Sequence, residues 1–365
     1  MAQKDIASID KNMAVENRTR DGMDWYTVDD ENFVLNGLYW RKKGEAFRRL
    51  PFDVHISDSV DHLAGCTAGV MVRFRTDAAE IRIHAVFNSV FPMDHMPCTG
   101  KMGFDLYTGS GTNKCYTKTT RFAADTNEYN VTMFGPVEEK KMREFTIHFP
   151  LYAHPDQVFF GLTEGAEVLP PIPWKDDRPV IVYGTSIQQG GCASRPGMCH
   201  SNIMSRMLDR PFINLGFSGN GKGEPEMAQT IATIENPAMF VLDYDANAMV
   251  EGLRNTLPGF IDILREKHPD TPILLVSHLP HANEFSGQKD LSQMRLDFTQ
   301  IHLAELTRRR EAGDRNIHFL DGSSLYGSDA SECTVDGVHA TDYGFAMIAK
   351  NMAPVIERIL QNYGS

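Results

Sequence analysis

The hydrophobic pattern changes period near residue 170, and that change requires two different architectures in one chain. Before it, short runs alternate apolar and polar residues. Val70-Met71-Val72-Arg73-Phe74-Arg75, Ile81-Arg82-Ile83-His84-Ala85-Val86-Phe87 and Phe145-Thr146-Ile147-His148-Phe149 are examples. A period of two marks strands with one buried face. Gly- and Asp-containing turns separate the runs, and no long helical pattern intervenes. Residues 26–168 are therefore expected to form an antiparallel, jelly-roll-like β-sandwich. Residues 1–25 are polar and read as an N-terminal arm.

Leu169-Pro170-Pro171-Ile172-Pro173-Trp174 can join neither a helix nor a central strand, because Pro lacks the backbone donor and fixes φ. Residues 169–177 thus read as a linker. Beyond it the apolar runs become continuous: Pro179–Tyr183, Phe212–Leu215, Met239–Leu242, Ile273–Val276 and Asn316–Leu320. Runs apolar on both faces suit a parallel sheet covered on each side by helices. Helical spacing between them, as in Ile203, Met204, Met207 and Leu208, completes the pattern. Residues 178–365 are expected to form a three-layer α/β/α, flavodoxin-like domain with about five parallel strands. Its last helix should run from Thr341, as N-cap, to Leu360, with a kink at Pro354. A chain of 365 residues has room for two such domains.

Composition narrows the partners. Lys+Arg 36 against Asp+Glu 48 gives a net charge of −12, which repels a phosphate backbone and argues against nucleic acid. No apolar run approaches the ~18–20 residues of a membrane span. The start lacks the apolar stretch of a secretory signal. The expectation is a soluble chain, cytoplasmic as given, or secreted or periplasmic if a leader has been removed. Six Cys with no CxxC pair fit neither a disulfide scaffold nor a structural zinc site. His95-Met96-Pro97-Cys98 matches no metal-ligand spacing. The oligomeric state is left open.

In an open parallel sheet, ligands bind beyond the carboxyl ends of the strands. The five strands here lead into Gly184-Thr185-Ser186, Gly216-Phe217-Ser218-Gly219, Asp243 to Asn247, Ser277-His278-Leu279-Pro280-His281 and, through a loop, Asp336-Gly337-Val338-His339. Reactive side chains thus gather at one edge. Acyl transfer by serine needs a nucleophile, a base, a group that orients the base, and donors for the oxyanion. Ser186 leaves a buried strand through a glycine turn, although a serine there also caps helices. Asp336 and His339, three apart before a helix, can pair a carboxylate with one ring nitrogen. The Ser186 and Gly219 N–H groups and the Asn247 side chain are candidate oxyanion donors, with turn and cap roles as the alternatives. Cys192 and Arg195, in the loop after the serine, and His278 and His281, after the fourth strand, are candidate pocket residues. Cys192 and Cys199 read as free thiols or as a disulfide.

Together these residues resemble the SGNH, or GDSL-type, hydrolase superfamily. Gly184-Thr185-Ser186-Ile187, Asn214-Leu215-Gly216-Phe217-Ser218-Gly219 and Asp336-Gly337-Val338-His339 resemble its first, second and last blocks. Gly103-Phe104-Asp105-Leu106-Tyr107 resembles the GxDLY motif of a β-rich domain that precedes one branch, in which the serine motif reads GTSI, as here. The third block departs from the family pattern: Asn247 follows Asp243-Tyr244-Asp245-Ala246 and precedes Ala248.

The resemblance implies a two-domain serine esterase that needs no metal or organic cofactor. Ser186 would be the nucleophile, His339 the base and Asp336 its orienting acid. The oxyanion would be held by Ser186, Gly219 and Asn247. The expected substrate is a small-molecule or carbohydrate ester, deacylated through an acyl-enzyme. An acyltransferase with the same triad, or a carbohydrate-binding protein with a degenerate hydrolase domain, are the competing readings.

Overall fold

The computed structural model describes residues 19–285 and 289–363. Two antiparallel sheets precede one parallel sheet. The first contains β1 (Thr19–Arg20), β2 (Met23–Tyr26), β10 (Ala153–Thr163), β5 (Ile81–Val90) and β8 (Glu128–Phe134), in that spatial order. The second runs β11 (Val168–Leu169), β4 (Met71–Thr76), β9 (Arg143–His148), β6 (Asp105–Thr108) and β7 (Cys115–Thr119). In it β3 (Val34–Asn36) shares the β11 edge of β4. The alternation read from the sequence is realised in β5, whose Ile81, Ile83, Ala85 and Phe87 are buried while Arg82, His84 and Val86 are half-buried. The inward side chains of both sheets meet around Phe74, Phe145, Phe149 and Phe160. Residues 19–25 belong to β1 and β2 of the sandwich, and the rest of the proposed arm, 1–18, lies outside the described residues.

The parallel sheet has the order β13 (Phe212–Gly216), β12 (Val180–Gly184), β14 (Met239–Asp243), β15 (Ile273–Val276) and β16 (Ile317–Leu320). That is a 2-1-3-4-5 arrangement, whose switch point lies beside β12. The continuous apolar runs divide between two cores. Val180, Val182, Val241 and Leu274 face α4 (His200–Leu208) and α8 (Asp342–Tyr363). Ile181, Tyr183, Leu242 and Leu275 face α5 (Pro225–Ile231), α6 (Asp245–Lys267) and α7 (Lys289–Glu311). Thr341 caps α8 as expected, its Oγ1 accepting from the Gly344 N–H at 3.1 Å. The helix continues past Pro354 to Tyr363.

The sandwich is packed on the α/β domain through polar contacts. Fully buried Arg49 donates to the carbonyls of Leu63 and Cys66 on its own side, and to Asn214 and Gly216 at the end of β13. Trp40 Nε1 donates to Thr233 Oγ1 at 2.9 Å, and the Glu235 N–H donates to the Tyr39 hydroxyl at 2.8 Å. These two aromatics therefore join the domains.

Candidate active site

Ser186 opens α3 (Ser186–Gln189), a one-turn helix at the carboxyl end of β12. Thr185 is its N-cap, and a capping box closes it: the Gln188 Oε1 accepts from the Thr185 N–H at 2.9 Å. The Gln188 carboxamide nitrogen donates in turn to the Asp243 carboxylate at the end of β14. Burial, and then the neighbouring Asp245, push the Asp243 carboxyl well above the usual range. The turn is tight because Gly184, Gly216 and Gly221 leave no room for a Cβ. One on Gly221 would lie 2.3 Å from the Gly184 carbonyl, and one on Gly216 2.1 Å from the Gln189 nitrogen.

The base arrives from the other end of the chain. Thr334 and Ala340 form an isolated bridge, and the Val335 N–H donates to the His339 carbonyl at 2.8 Å. Within this small loop the Asp336 Oδ1 accepts from the N–H groups of Val338 (3.0 Å) and His339 (2.7 Å), an Asx-type turn. The Asp336 Oδ2 lies 2.7 Å from His339 Nδ1, and His339 Nε2 lies 2.9 Å from Ser186 Oγ. Burial pushes the Asp336 carboxyl up, but the bonds from the His339 ring and from the two N–H groups outweigh it and hold it at about 2. Asp336 is therefore ionised at any ordinary pH and can hold the ring with its second nitrogen toward the serine.

Around this line the other sequence candidates fall unequally. Gly219 has φ +70° and nothing within 4 Å of where a Cβ would stand, so its backbone borders open space. Asn247 sits in the first turn of α6, and its Oδ1 accepts from the Gly221 N–H at 3.3 Å. That engages the oxygen end of the carboxamide and leaves the nitrogen end to donate. Cys192 is buried, and burial followed by the Asp336 charge pushes its thiol up to about 12. Cys192 and Cys199 are both free thiols. His281 is held down to about 4 by burial and then by His278, against the opposing carboxylates of Glu284 and Asp336. His278 packs inward, stacked on Phe298 with centroids 5.4 Å apart. Arg195 does not join them. Its guanidinium donates to Asp105 (2.7 Å) and to the Tyr107 hydroxyl (2.6 Å), while Asp105 also accepts from the Gly197 N–H (2.8 Å). The GxDLY motif thus clamps the loop that follows the serine.

Sequence reasoning weighed His95 only within His95-Met96-Pro97-Cys98, which matches no metal-ligand spacing, and did not place it at the site. It comes from the sandwich, yet its Nε2 lies 3.9 Å from the Asp336 Oδ2 and its ring 5.5 Å from that of His339. Only packing between domains brings it there. A Cβ on Gly100 would lie 2.0 Å from the Ala193 carbonyl, so the glycine lets the two segments touch.

A three-layer α/β domain carrying these blocks behind a β-sandwich is the SGNH-type architecture. Residues 177–357 match the GDSL-like lipase/acylhydrolase family, and residues 23–168 match the GxDLY family, the N-terminus of SGNH hydro-type esterases. The chain belongs to the GDSL-like lipase/acylhydrolase family, with a GxDLY domain at its N-terminal side. No curated protein matches it. Among solved structures it is similar to a GDSL-like lipase candidate from Bacteroides ovatus ATCC 8483. The two are 26% identical with TM-score 0.84, over 93% of this chain and 98% of that one. It also shares its fold with the salicylyl-acyltransferase SsfX3 of a tetracycline biosynthetic pathway (19% identity, TM-score 0.73, 92% and 98% covered). A third similar structure is a family two carbohydrate esterase from Cellvibrio japonicus (13% identity, TM-score 0.60, 94% and 99% covered). No helix among the described residues is long and apolar enough to cross a membrane.

Proposed function

We propose that this chain is a serine carboxylester hydrolase that removes short acyl groups, acetyl first among them, from a carbohydrate or a similar alcohol. The observation that carries the reading is the unbroken line Ser186 Oγ, His339, Asp336 at 2.9 and 2.7 Å. In this reading His339 Nε2 takes the Ser186 proton as Oγ attacks the ester carbonyl. Asp336 keeps the ring oriented and stabilises the imidazolium. The tetrahedral oxyanion is received by the Ser186 and Gly219 N–H groups and the Asn247 carboxamide, each such donor being worth about 3–4 kcal/mol. The proton on His339 then passes to the leaving alcohol. A water activated by the same ring releases the acid and restores Ser186. Every step is served by the chain's own residues.

The carbohydrate half of the proposal is supported by the fold shared with a carbohydrate esterase. Hydrolysis is favoured over transfer to another alcohol because the His339 and Asp336 side chains keep 24% and 34% of their surface exposed, which admits water. The test is a panel of acetylated sugars and aryl esters of increasing acyl length, with Ser186→Ala as control. The expected result is turnover of acetyl esters that falls with acyl length and is absent in Ser186→Ala. Equal rates in the two proteins would end the reading.

A further inference from the structure

Three soft or borderline ligand groups converge beside the proposed nucleophile from parts of the chain far apart in sequence. His95 belongs to the sandwich segment between β5 and α2 (Cys98–Lys101), Cys192 to the loop after α3, and His339 to the turn before α8. One ligand atom from each lies within 4.8 Å of the others. The Asp336 Oδ2 is 3.9 Å from His95 Nε2 and offers a fourth donor. We propose that His95, Cys192 and His339 form a binding site for a thiophilic divalent cation of the zinc class, and that occupancy switches the serine off.

The donor chemistry selects the cation. Two imidazoles, a thiolate and a carboxylate suit zinc, whereas magnesium and calcium take oxygen donors. A tetrahedral zinc with Zn–N near 2.0–2.1 Å and Zn–S near 2.3 Å holds such ligand atoms roughly 3.3–3.8 Å apart. The cluster must therefore contract by about 1 Å. His95, whose side chain is 31% exposed, has the freedom to close that gap. The cation also has a path in, because the His339 side chain is 24% exposed.

Binding forms two metal–nitrogen bonds and one metal–sulfur bond in place of bound water, and the Cys192 thiol proton leaves to solvent. No electron is transferred. Both His339 ring nitrogens are already engaged, one by Ser186 and one by Asp336. Coordination through either one breaks the line: the serine loses its proton acceptor, or the imidazole loses its orienting carboxylate. The sandwich thereby gains a direct hold on the site, since one of the three ligands is its own.

The loss of activity rests on the function proposed above, whereas the coordination does not, and the experiment separates them. Full-length protein is titrated with cobalt(II), a spectroscopic stand-in for zinc, and in parallel assayed for acetyl-ester hydrolysis against zinc(II). The expected result is a thiolate-to-cobalt charge-transfer band of about one equivalent, with zinc inhibition that a chelator reverses and that magnesium does not reproduce. Cys192→Ser should lose the band. Cys192→Ser and His95→Gln should each raise the half-inhibiting zinc concentration at least about tenfold, relative to each variant's own uninhibited rate. Both are conservative changes, and circular dichroism verifies their folding. A thiolate band without esterase activity keeps the metal site and removes the function. Esterase activity without the band, or with zinc sensitivity unchanged in both variants, overturns the metal site.

Discussion

At the scale of single residues, the site turns on two bonds to one imidazole. Asp336, held at about 2, is ionised across the working range, so its protonation cannot shape the pH profile there. The acid limb of log kcat/KM should therefore have a slope of one, from the single protonation of a base. A slope of two would mean that a second group titrates with it. Asp336→Asn keeps the geometry but presents the wrong hydrogen-bonding partner to Nδ1, and kcat should fall about 10³–10⁴-fold. Asn247→Ala should lower kcat about 10²–10³-fold with little change in KM, because an oxyanion donor acts only in the transition state. An unchanged kcat would reduce Asn247 to a brace for Gly221. Ser186, His339 and Asp336, the proposed triad, could be nominated from the sequence because a strand end and an Asp-x-x-His turn are local features, and the fold brings the three within hydrogen-bonding distance. Gln188 shows its role only once folded: it links the Thr185 backbone to Asp243, which lies on another strand.

Elements carry the next level of the account. The far end of the loop after α3 is held from two sides. Ser194 bonds Asp342 at the start of α8, and Arg195 and Gly197 bond Asp105 on β6. Asp105 is fully buried, and burial pushes its carboxyl up despite Arg195. Arg195→Ala removes the charge that compensates it, and truncating one partner of a buried pair costs about 3–5 kcal/mol. The urea midpoint should fall accordingly, and Asp105→Asn, which can still accept from Gly197, should lose less. Equal midpoints for Arg195→Ala and wild type would show that the clamp contributes nothing. The strands and the last helix were readable because period two, continuous apolar runs and the Thr341 cap are written within each segment. The purpose of Arg195 was not, since its partners lie some ninety residues upstream on another domain.

At the scale of the whole molecule, the sandwich and the α/β domain meet beside the proposed site, and the response to acid reflects histidines buried within each of them. His200, buried at the start of α4, and His154, half-buried beside His62, are each held down to about 4, chiefly by burial. An unfolded imidazole binds its proton near 6.5, so between about 6.5 and 4 the unfolded chain carries more protons. Stability therefore drains away as the pH falls through that window, by an amount on the order of 3 kcal/mol for His200. His200→Phe, stacked on Phe345 as the imidazole is, should flatten the fall in Tm between pH 7 and 4.5, and an unaltered slope would assign the effect elsewhere. His95 also belongs to this scale, because its place beside Asp336 exists only when the sandwich is docked. The central claim is that one serine, activated by an imidazole from the far end of the chain, is the nucleophile. Reaction of the folded protein with a fluorophosphonate, followed by peptide mapping, tests it most directly. The account predicts one equivalent on Ser186, with labelling much slowed in His339→Ala. Stoichiometric label on another serine, or none on folded protein, would contradict it.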